Sequence, residues 1–151
     1  MAKIINVHGT ALVIDGFGVM LRGASGSGKS LLALELIAQA QNNNRQIKLL
    51  ADDRINIIIK DNQIFMQTPP ALAGKIELYG HGIISRPYIK SAKLNLIVDF
   101  VENIERMPEQ KQFIASFENI EIARCPIPIR NQTDINHQIL LIDEAIFCLK
   151  K

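Results

Sequence analysis

The sequence predicts one α/β domain, a mixed sheet that carries a glycine-rich phosphate loop and is flanked by helices. Three observations predict it. The segment Gly23-Ala24-Ser25-Gly26-Ser27-Gly28-Lys29-Ser30 follows a β-rich apolar stretch and opens a helical pattern, the strand–loop–helix order of a phosphate cradle. Short β-branched runs, some close enough in sequence to pair as hairpins, outnumber two long helical patterns. The 151 residues, 48% of them apolar, suffice for one core of ordinary size. The hairpins set this sheet apart from the all-parallel sheet of a simple doubly wound fold.

The elements follow in order. Strands are expected at Ile4–Val7, Ala11–Ile14 and Gly18–Leu21, with Gly16 and Gly18 punctuating the second connection. The first helix starts in the glycine loop and runs to about Ala40. Leu31, Leu34, Ile37 and Ala38 would form its apolar stripe, and Asn42-Asn43-Asn44 would end it, because asparagine competes for backbone hydrogen bonds. Ile47–Ala51 reads as a buried strand ending at Asp52-Asp53-Arg54. Ile55–Ile59 and Ile64–Gln67 read as a hairpin around Lys60–Gln63. Pro69-Pro70 breaks the pattern, a short helical turn is expected over Ala71–Glu77, and Gly80-His81-Gly82 reads as a flexible loop. Leu94–Val98 and Phe113–Phe117 read as strands. Ile120–Ala123 begins another, with Pro126 and Pro128 suited to a sheet edge. A last helix spans about Thr133 to Leu149, with Ile135, Ile139, Ile142, Ala145, Ile146 and Leu149 on one face.

Composition excludes several classes. Seventeen Lys and Arg against fifteen Asp and Glu leave a net charge of +2, with no push toward nucleic acid or a membrane surface. No apolar run approaches the roughly 20 residues that span a bilayer, and the N-terminus lacks the apolar segment of a secretory signal; the expected location is the cytoplasm. Cys125 and Cys148 both lie in apolar patterns and read as buried, reduced thiols, without the neighbouring ligands of a metal site.

The chemistry concentrates in a few motifs. Gly23–Ser30 matches G-x-x-x-x-G-K-[ST]. Its glycines let backbone N–H groups turn toward phosphate oxygens, and the helix N-terminus adds partial positive charge. Lys29 is expected to reach the β- and γ-phosphates, and Ser30 to place its hydroxyl on Mg²⁺. Asp52-Asp53 at a strand end offers a division of labour, one carboxylate near a metal and one free as a base. Glu77 ahead of Gly80-His81-Gly82 reads either as a metal ligand or as a solvated carboxylate. Arg106, read alone, is a surface arginine, although an arginine can steady charge on a transferring phosphoryl group. His8, beside Gly9 at a strand end, reads alone as structural or solvated, as do His81 and His137.

The ordered set is more specific than any of its parts. His8-Gly9 fifteen positions ahead of Gly23, the loop itself, Ala51-Asp52-Asp53-Arg54 and Glu77-x-x-Gly80-x-Gly82-Ile83 resemble, in the same order, the catalytic domain of the HPr kinase/phosphorylase family over nearly the whole chain. The resemblance implies a P-loop fold similar to the nucleotide domain of phosphoenolpyruvate carboxykinase. It implies a single catalytic domain over residues 1–151. It also implies Mg²⁺- and ATP-dependent phosphorylation of a serine on HPr, a carrier of the bacterial sugar phosphotransferase system, and phosphorolytic reversal that releases pyrophosphate. It assigns Asp52 as the catalytic base, Lys29 and the loop residues Gly23, Ala24, Ser25, Gly26, Ser27, Gly28 and Ser30 to the nucleotide, and Ser30, Glu77 and Asp53 to the metal. It adds His8 and Arg106 to the active site and implies a homo-oligomer, typically a hexamer. The chain departs from the family at Tyr79, where arginine is usual, and in a longer connection through Gln41–Gln46. Two rival readings remain: a P-loop kinase of a small metabolite, and a nucleotide-sensing regulator without turnover.

Overall fold

The computed structural model describes residues 2–130 and 132–151. Eleven strands and two α-helices succeed one another as β1 (Lys3–His8), β2 (Thr10–Ile14), β3 (Phe17–Arg22), α1 (Lys29–Asn42), β4 (Ile47–Ala51), β5 (Arg54–Lys60), β6 (Gln63–Gln67), β7 (Lys75–Leu78), β8 (Gly82–Ser85), β9 (Ser91–Val101), β10 (Ile114–Phe117), β11 (Ile120–Pro128) and α2 (Ile135–Leu149). The principal sheet runs β1-β5-β6-β9-β3-β2-β4, and β11 pairs with β9 beyond the point where β6 leaves it. The expected mixed α/β fold is therefore present, with β3, β9 and β11 mutually parallel and the rest antiparallel.

Three hairpins turn on two residues with positive φ: Asp15-Gly16, Asp61-Asn62 and Glu118-Asn119. These are the left-handed pairs whose twist matches that of the flanking strands. The Asp61-Asn62 turn is tighter than the four-residue connection read from the sequence, because Lys60 and Gln63 still pair.

Strand alternation divides the apolar residues between two cores. On one face Leu12, Val19, Leu21, Leu49, Leu96 and Val98 pack under both helices. On the other Ala11, Met20, Leu50 and Ile97 meet Ile55, Ile57, Ile64 and Met66 of the β5–β6 hairpin, which curls back over the sheet. Among the described residues, two α-helices cover one face of the sheet and the curled hairpin covers the other.

Four local expectations are corrected. Ala71–Glu77 is not a helical turn: a 3-10 turn covers Pro70–Leu72, and Lys75–Leu78 is a strand, its alternation placing Ile76 in the core. Gly80-His81-Gly82 is the tip of the β7–β8 hairpin, with Gly82 already paired to Leu78. The apolar stripe of α1 is misplaced, since Ala38 is exposed whereas Leu32, Ala33, Leu36 and Ala40 are buried. The helix is covered by β2 and β4 on one side and by β7 on another, so burial spreads beyond a single stripe. Cys148 is exposed near the end of α2, while Cys125 is buried as expected and burial pushes its thiol up to about 12. The α2 face is as read, with Ile139, Ile142 and Ile146 buried and Asp134 capping the helix through the His137 N–H.

At the C-terminal ends of the parallel strands, Asp99 accepts two bonds from Arg22 (2.7 and 2.9 Å) and one from Arg124 (2.6 Å). Burial pushes the Asp99 carboxyl up, but the hydrogen bonds and charges of the two guanidinium groups together outweigh it and hold it below the usual carboxylate range. The stabilisation is complete above the unfolded value near 3.9 and is lost as pH falls through the lower folded value. We expect Asp99→Asn to destabilise the fold at neutral pH and to flatten the acid limb of stability below about pH 4, read by urea denaturation across pH. Leu21→Ala, at a fully buried position of β3, should cost about 2–5 kcal/mol in the same measurement.

Candidate active site

The phosphate loop leaves the end of β3 and enters α1 within seven residues. Gly28 caps the helix at φ 103, a backbone conformation that side chains disfavour. Gly23 is required for space: a Cβ there would lie 2.8 Å from Ser27 Oγ and 2.9 Å from Phe100 Cβ. No side chain caps the first turn of α1, so its N–H groups and the positive end of its dipole face the loop. Lys29 is buried. Its Nζ donates to the carbonyls of Gly23 (2.8 Å) and Ala24 (2.9 Å), holding the ammonium inside the loop. Burial pushes it below the usual lysine value, and the charges of Asp52 and Asp53 oppose that shift.

Asp52 and Asp53 occupy the link from β4 to β5. The Arg54 N–H donates to the Asp52 carbonyl (2.9 Å) around Asp53, whose φ is 72. This three-residue reversal, a strained geometry, sends the two carboxylates apart. Asp52 is buried, whereas the Asp53 side chain is 71% exposed.

Asp52 is the hub of the polar network. Its Oδ1 accepts from the Ser30 hydroxyl (2.7 Å) and the Thr10 hydroxyl (2.9 Å), and its Oδ2 from the Glu77 backbone N–H (3.2 Å). Four elements, β2, α1, β4 and β7, are thereby tied at one carboxylate. Thr10 is 1% exposed, and the sequence reading missed it because a threonine opening an apolar strand looks like any β-former. His8, at the end of β1, brings Nδ1 to 3.4 Å from Asp53 Oδ1, an ion pair when the imidazole is protonated.

A cleft of about 600 Å³ gathers these groups. His8, Thr10, Ser25, Gly26, Gly28, Lys29, Ser30, Asp52, Asp53 and Glu77 all face it. Gly23, Ala24 and Ser27 complete the loop behind it. Arg106 does not line the cleft. It is exposed in the connection after β9. The arginine that does line the cleft is Arg130, just past β11, whose Cδ would stand 3.5 Å from a Cβ at Gly28. Nothing local marks it in the sequence: β11 is parallel to β3, so a residue leaving its C-terminal end emerges beside the phosphate loop. Tyr79 and Ile83 form the outer wall, both largely exposed.

The donor set suits phosphates and a hard cation. N–H groups, Lys29 and Arg130 supply positive charge, while the Ser30 hydroxyl and the carboxylates of Glu77 and Asp53 supply oxygen ligands. Mg²⁺ is characteristically held by one or two carboxylates, waters and substrate phosphates, so a sparse oxygen set of this kind fits it.

A scan of protein families matches residues 1–148 to the HPr Serine kinase C-terminal domain. The chain is 32% identical over 143 residues to an HPr kinase/phosphorylase of Lactobacillus acidophilus, covering 86% of this chain and 42% of that protein. It is 30% identical over 158 residues to the HPr kinase/phosphorylase of Lactococcus lactis subsp. cremoris, covering 97% and 48%. The chain thus spans about half the length of the curated relatives it matches. Among solved structures, the Hpr(Ser) kinase/phosphatase from Coxiella burnetii superposes with a TM-score of 0.75 at 25% identity, over 97% of this chain and 99% of that one.

The tight fit at the start of the loop generates a prediction. Gly23→Ala should cost about 1–3 kcal/mol in urea denaturation, the range for forcing a methyl group into a packed site. Gly26→Ala should cost less sterically, since nothing lies within 4 Å of its added Cβ and only its φ of 81 opposes the change.

Proposed function

Because this chain belongs to the HPr serine kinase C-terminal-domain family, we propose that it is a cytoplasmic, Mg²⁺- and ATP-dependent protein-serine kinase acting on HPr or an HPr-like protein, and that it also runs the phosphorolytic reverse reaction. The observation that carries the reading is the placement of Asp52. Its carboxylate lies 2.7 Å from the hydroxyl of the phosphate-loop Ser30 and faces the same cleft as Lys29. A base at the transferring end of a bound triphosphate is what a kinase needs, and a nucleotide sensor has no use for one.

In the kinase direction the serine hydroxyl enters beside Asp52, which accepts its proton. The serine oxygen bonds to the γ-phosphorus, the bond from that phosphorus to the β–γ bridging oxygen breaks, and ADP leaves. In reverse, an oxygen of inorganic phosphate bonds to the phosphoserine phosphorus. Asp52, protonated from solvent in this direction, gives its proton to the departing serine oxygen, and pyrophosphate is released. Lys29 and the loop N–H groups hold the phosphate oxygens in line, so that most of the work is positioning and charge stabilisation. Ser30 and Glu77 would hold Mg²⁺, with Asp53 beside them; when bound it neutralises phosphate charge. Arg130, which lines the cleft where Arg106 does not, steadies phosphate charge at the crest of the loop. His8, facing Asp53, lies on the acceptor side and bears on the protonation of incoming groups. Thr10 is a positioning residue: its buried hydroxyl keeps Asp52 in place when Ser30 turns toward the metal.

The test is phosphate transfer to purified HPr in both directions, followed by mass spectrometry. Asp52→Asn should lower kcat by about 10²–10⁴ with ATP affinity within a few-fold of wild type; near-normal activity removes the base assignment. Thr10→Val should lower kcat about tenfold with KM unchanged, and Thr10→Ser should restore it. His8→Ala should impair one direction more than the other. Label from ATP appearing only in small molecules would favour a metabolite kinase instead.

A further inference from the structure

A second hollow, of about 390 Å³, adjoins the phosphate loop. It is lined by Ala24–Ser27 of the loop, by Phe100 and Glu102 at and just past the end of β9, and by Ile129 and Arg130 past β11. It shares Ser25, Gly26 and Arg130 with the catalytic cleft, whereas His8, Asp52 and Glu77 face the cleft alone. The crest of the loop, with Arg130 beside it, therefore stands between two compartments.

We infer that this hollow is the ribonucleoside subsite of the triphosphate substrate, reading the ribose through Glu102 and holding the base by shape alone. The inference rests on the proposed use of ATP. A triphosphate lying on the loop with its γ-phosphoryl group toward Asp52 must direct its other end away from Asp52, over the crest. The hollow begins there, at the carboxyl ends of the parallel strands β3, β9 and β11, where open α/β sheets bind their ligands. Its size lies within the range of small-molecule pockets.

The lining divides by chemistry. Phe100, packed against Gly23, and Ile129 give apolar walls. The Ile129 N–H is already spent on the Val101 carbonyl (3.1 Å). The carbonyl of Glu102 likewise accepts from the Gln132 side chain, which ties the β9 end to the chain beyond Arg130. These two backbone groups are committed, and the Ser25 and Ser27 side of the hollow belongs to the phosphate loop, so the base meets the apolar side chains of Phe100 and Ile129. The Glu102 side chain is exposed. A carboxylate is repelled by phosphates, but it accepts well from the vicinal hydroxyls of a ribose, which lie farther from the charge. Arg130, at the boundary, is placed for the phosphates nearest the sugar.

The experiment compares equilibrium binding of ATP, GTP, 2′-deoxy-ATP, 3′-deoxy-ATP and inorganic tripolyphosphate, each with Mg²⁺, to the full chain. Tripolyphosphate probes the loop without the hollow. In the wild type, ATP and GTP should bind within about threefold of each other. At least one deoxy analogue should bind about tenfold more weakly, the effect of one hydrogen bond to a charged group. Glu102→Ala should weaken ATP about tenfold, leave tripolyphosphate unchanged and abolish the deoxy penalty. Ile129→Asn, an uncharged second variant, should weaken ATP and GTP alike without affecting tripolyphosphate. Equal binding of ATP and both deoxy analogues, or an ATP affinity indifferent to both variants, overturns the subsite while the loop reading stands. Failure of both ATP and tripolyphosphate to bind the wild type overturns the loop reading and the subsite with it. The predicted binding pattern without transfer to HPr supports the subsite and counts only against the kinase assignment.

Discussion

The buried carboxylate of Asp52 accepts hydrogen bonds from groups on three other elements, and the arrangement of the site depends on it. A charge held out of water is costly unless its lone pairs are met. Here the partners are the Thr10 hydroxyl, the Ser30 hydroxyl and the Glu77 backbone N–H. Each has a structural consequence. Thr10 ties β4 to the start of β2, close to His8. Ser30 ties it to the first turn of α1, and so to the phosphate loop. Glu77 ties it to β7, which lines the cleft. The same bonds that make the carboxylate tolerable set where the loop, the histidine and the second carboxylate stand. The tight reversal at Asp53 completes the arrangement by leaving one carboxylate inside and one outside.

This hub works only because the sheet brings the right strand ends together, and β9 is the strand that does so. Its first residues pair antiparallel with β6, while the remainder pairs parallel with β3 on one edge and β11 on the other. One strand thereby joins the curled hairpin layer to the parallel region, and the two apolar cores form on its opposite faces. Parallel pairing sends β3, β9 and β11 out at one end. The Arg22–Asp99–Arg124 cluster binds all three strands there, just beneath the loop. A slip of β9 by one residue would exchange the two faces, moving Leu96 and Val98 away from the helices and Asp99 away from both arginines.

Much of this was legible in the sequence, for reasons that differ by residue. The phosphate loop was readable because its geometry demands glycine at fixed positions. The strands were readable because burial on two faces favours β-branched residues, and the proline-bearing end of β11 does lie at an edge, with β10 pairing only as far as Ala123. The β7 segment was lost because four residues are too few for period two to stand out from period 3.6. The stripe on α1 was misplaced because the helix is covered from two directions. Thr10 and Arg130 were invisible for another reason. Their roles come from register and parallel pairing, contacts between residues 42 and more than 100 positions apart. Arg106 read alone as a surface arginine and entered the site only through the family resemblance, and it does not line the cleft.

The distribution of charge explains why the two compartments flanking the loop can do different things. Lys29 is held against the loop carbonyls, where burial weakens its hold on a proton and the two aspartates offset that only in part. It is therefore a cation whose charge is sustained by the carboxylates across the cleft. Anionic phosphates entering between them would meet N–H groups, Lys29 and Arg130 on the loop side and would be repelled by Asp52, Asp53 and Glu77 on the other. Such a field favours a triphosphate only if a divalent cation offsets the carboxylates at its transferring end, and it leaves the opposite end under no such constraint. Charge stabilisation and proton transfer belong on the Asp52 side. Beyond the crest, where Arg130 and the loop serines face the phosphates, the walls that remain are Phe100, Ile129 and the Glu102 carboxylate, a composition suited to an uncharged sugar and base.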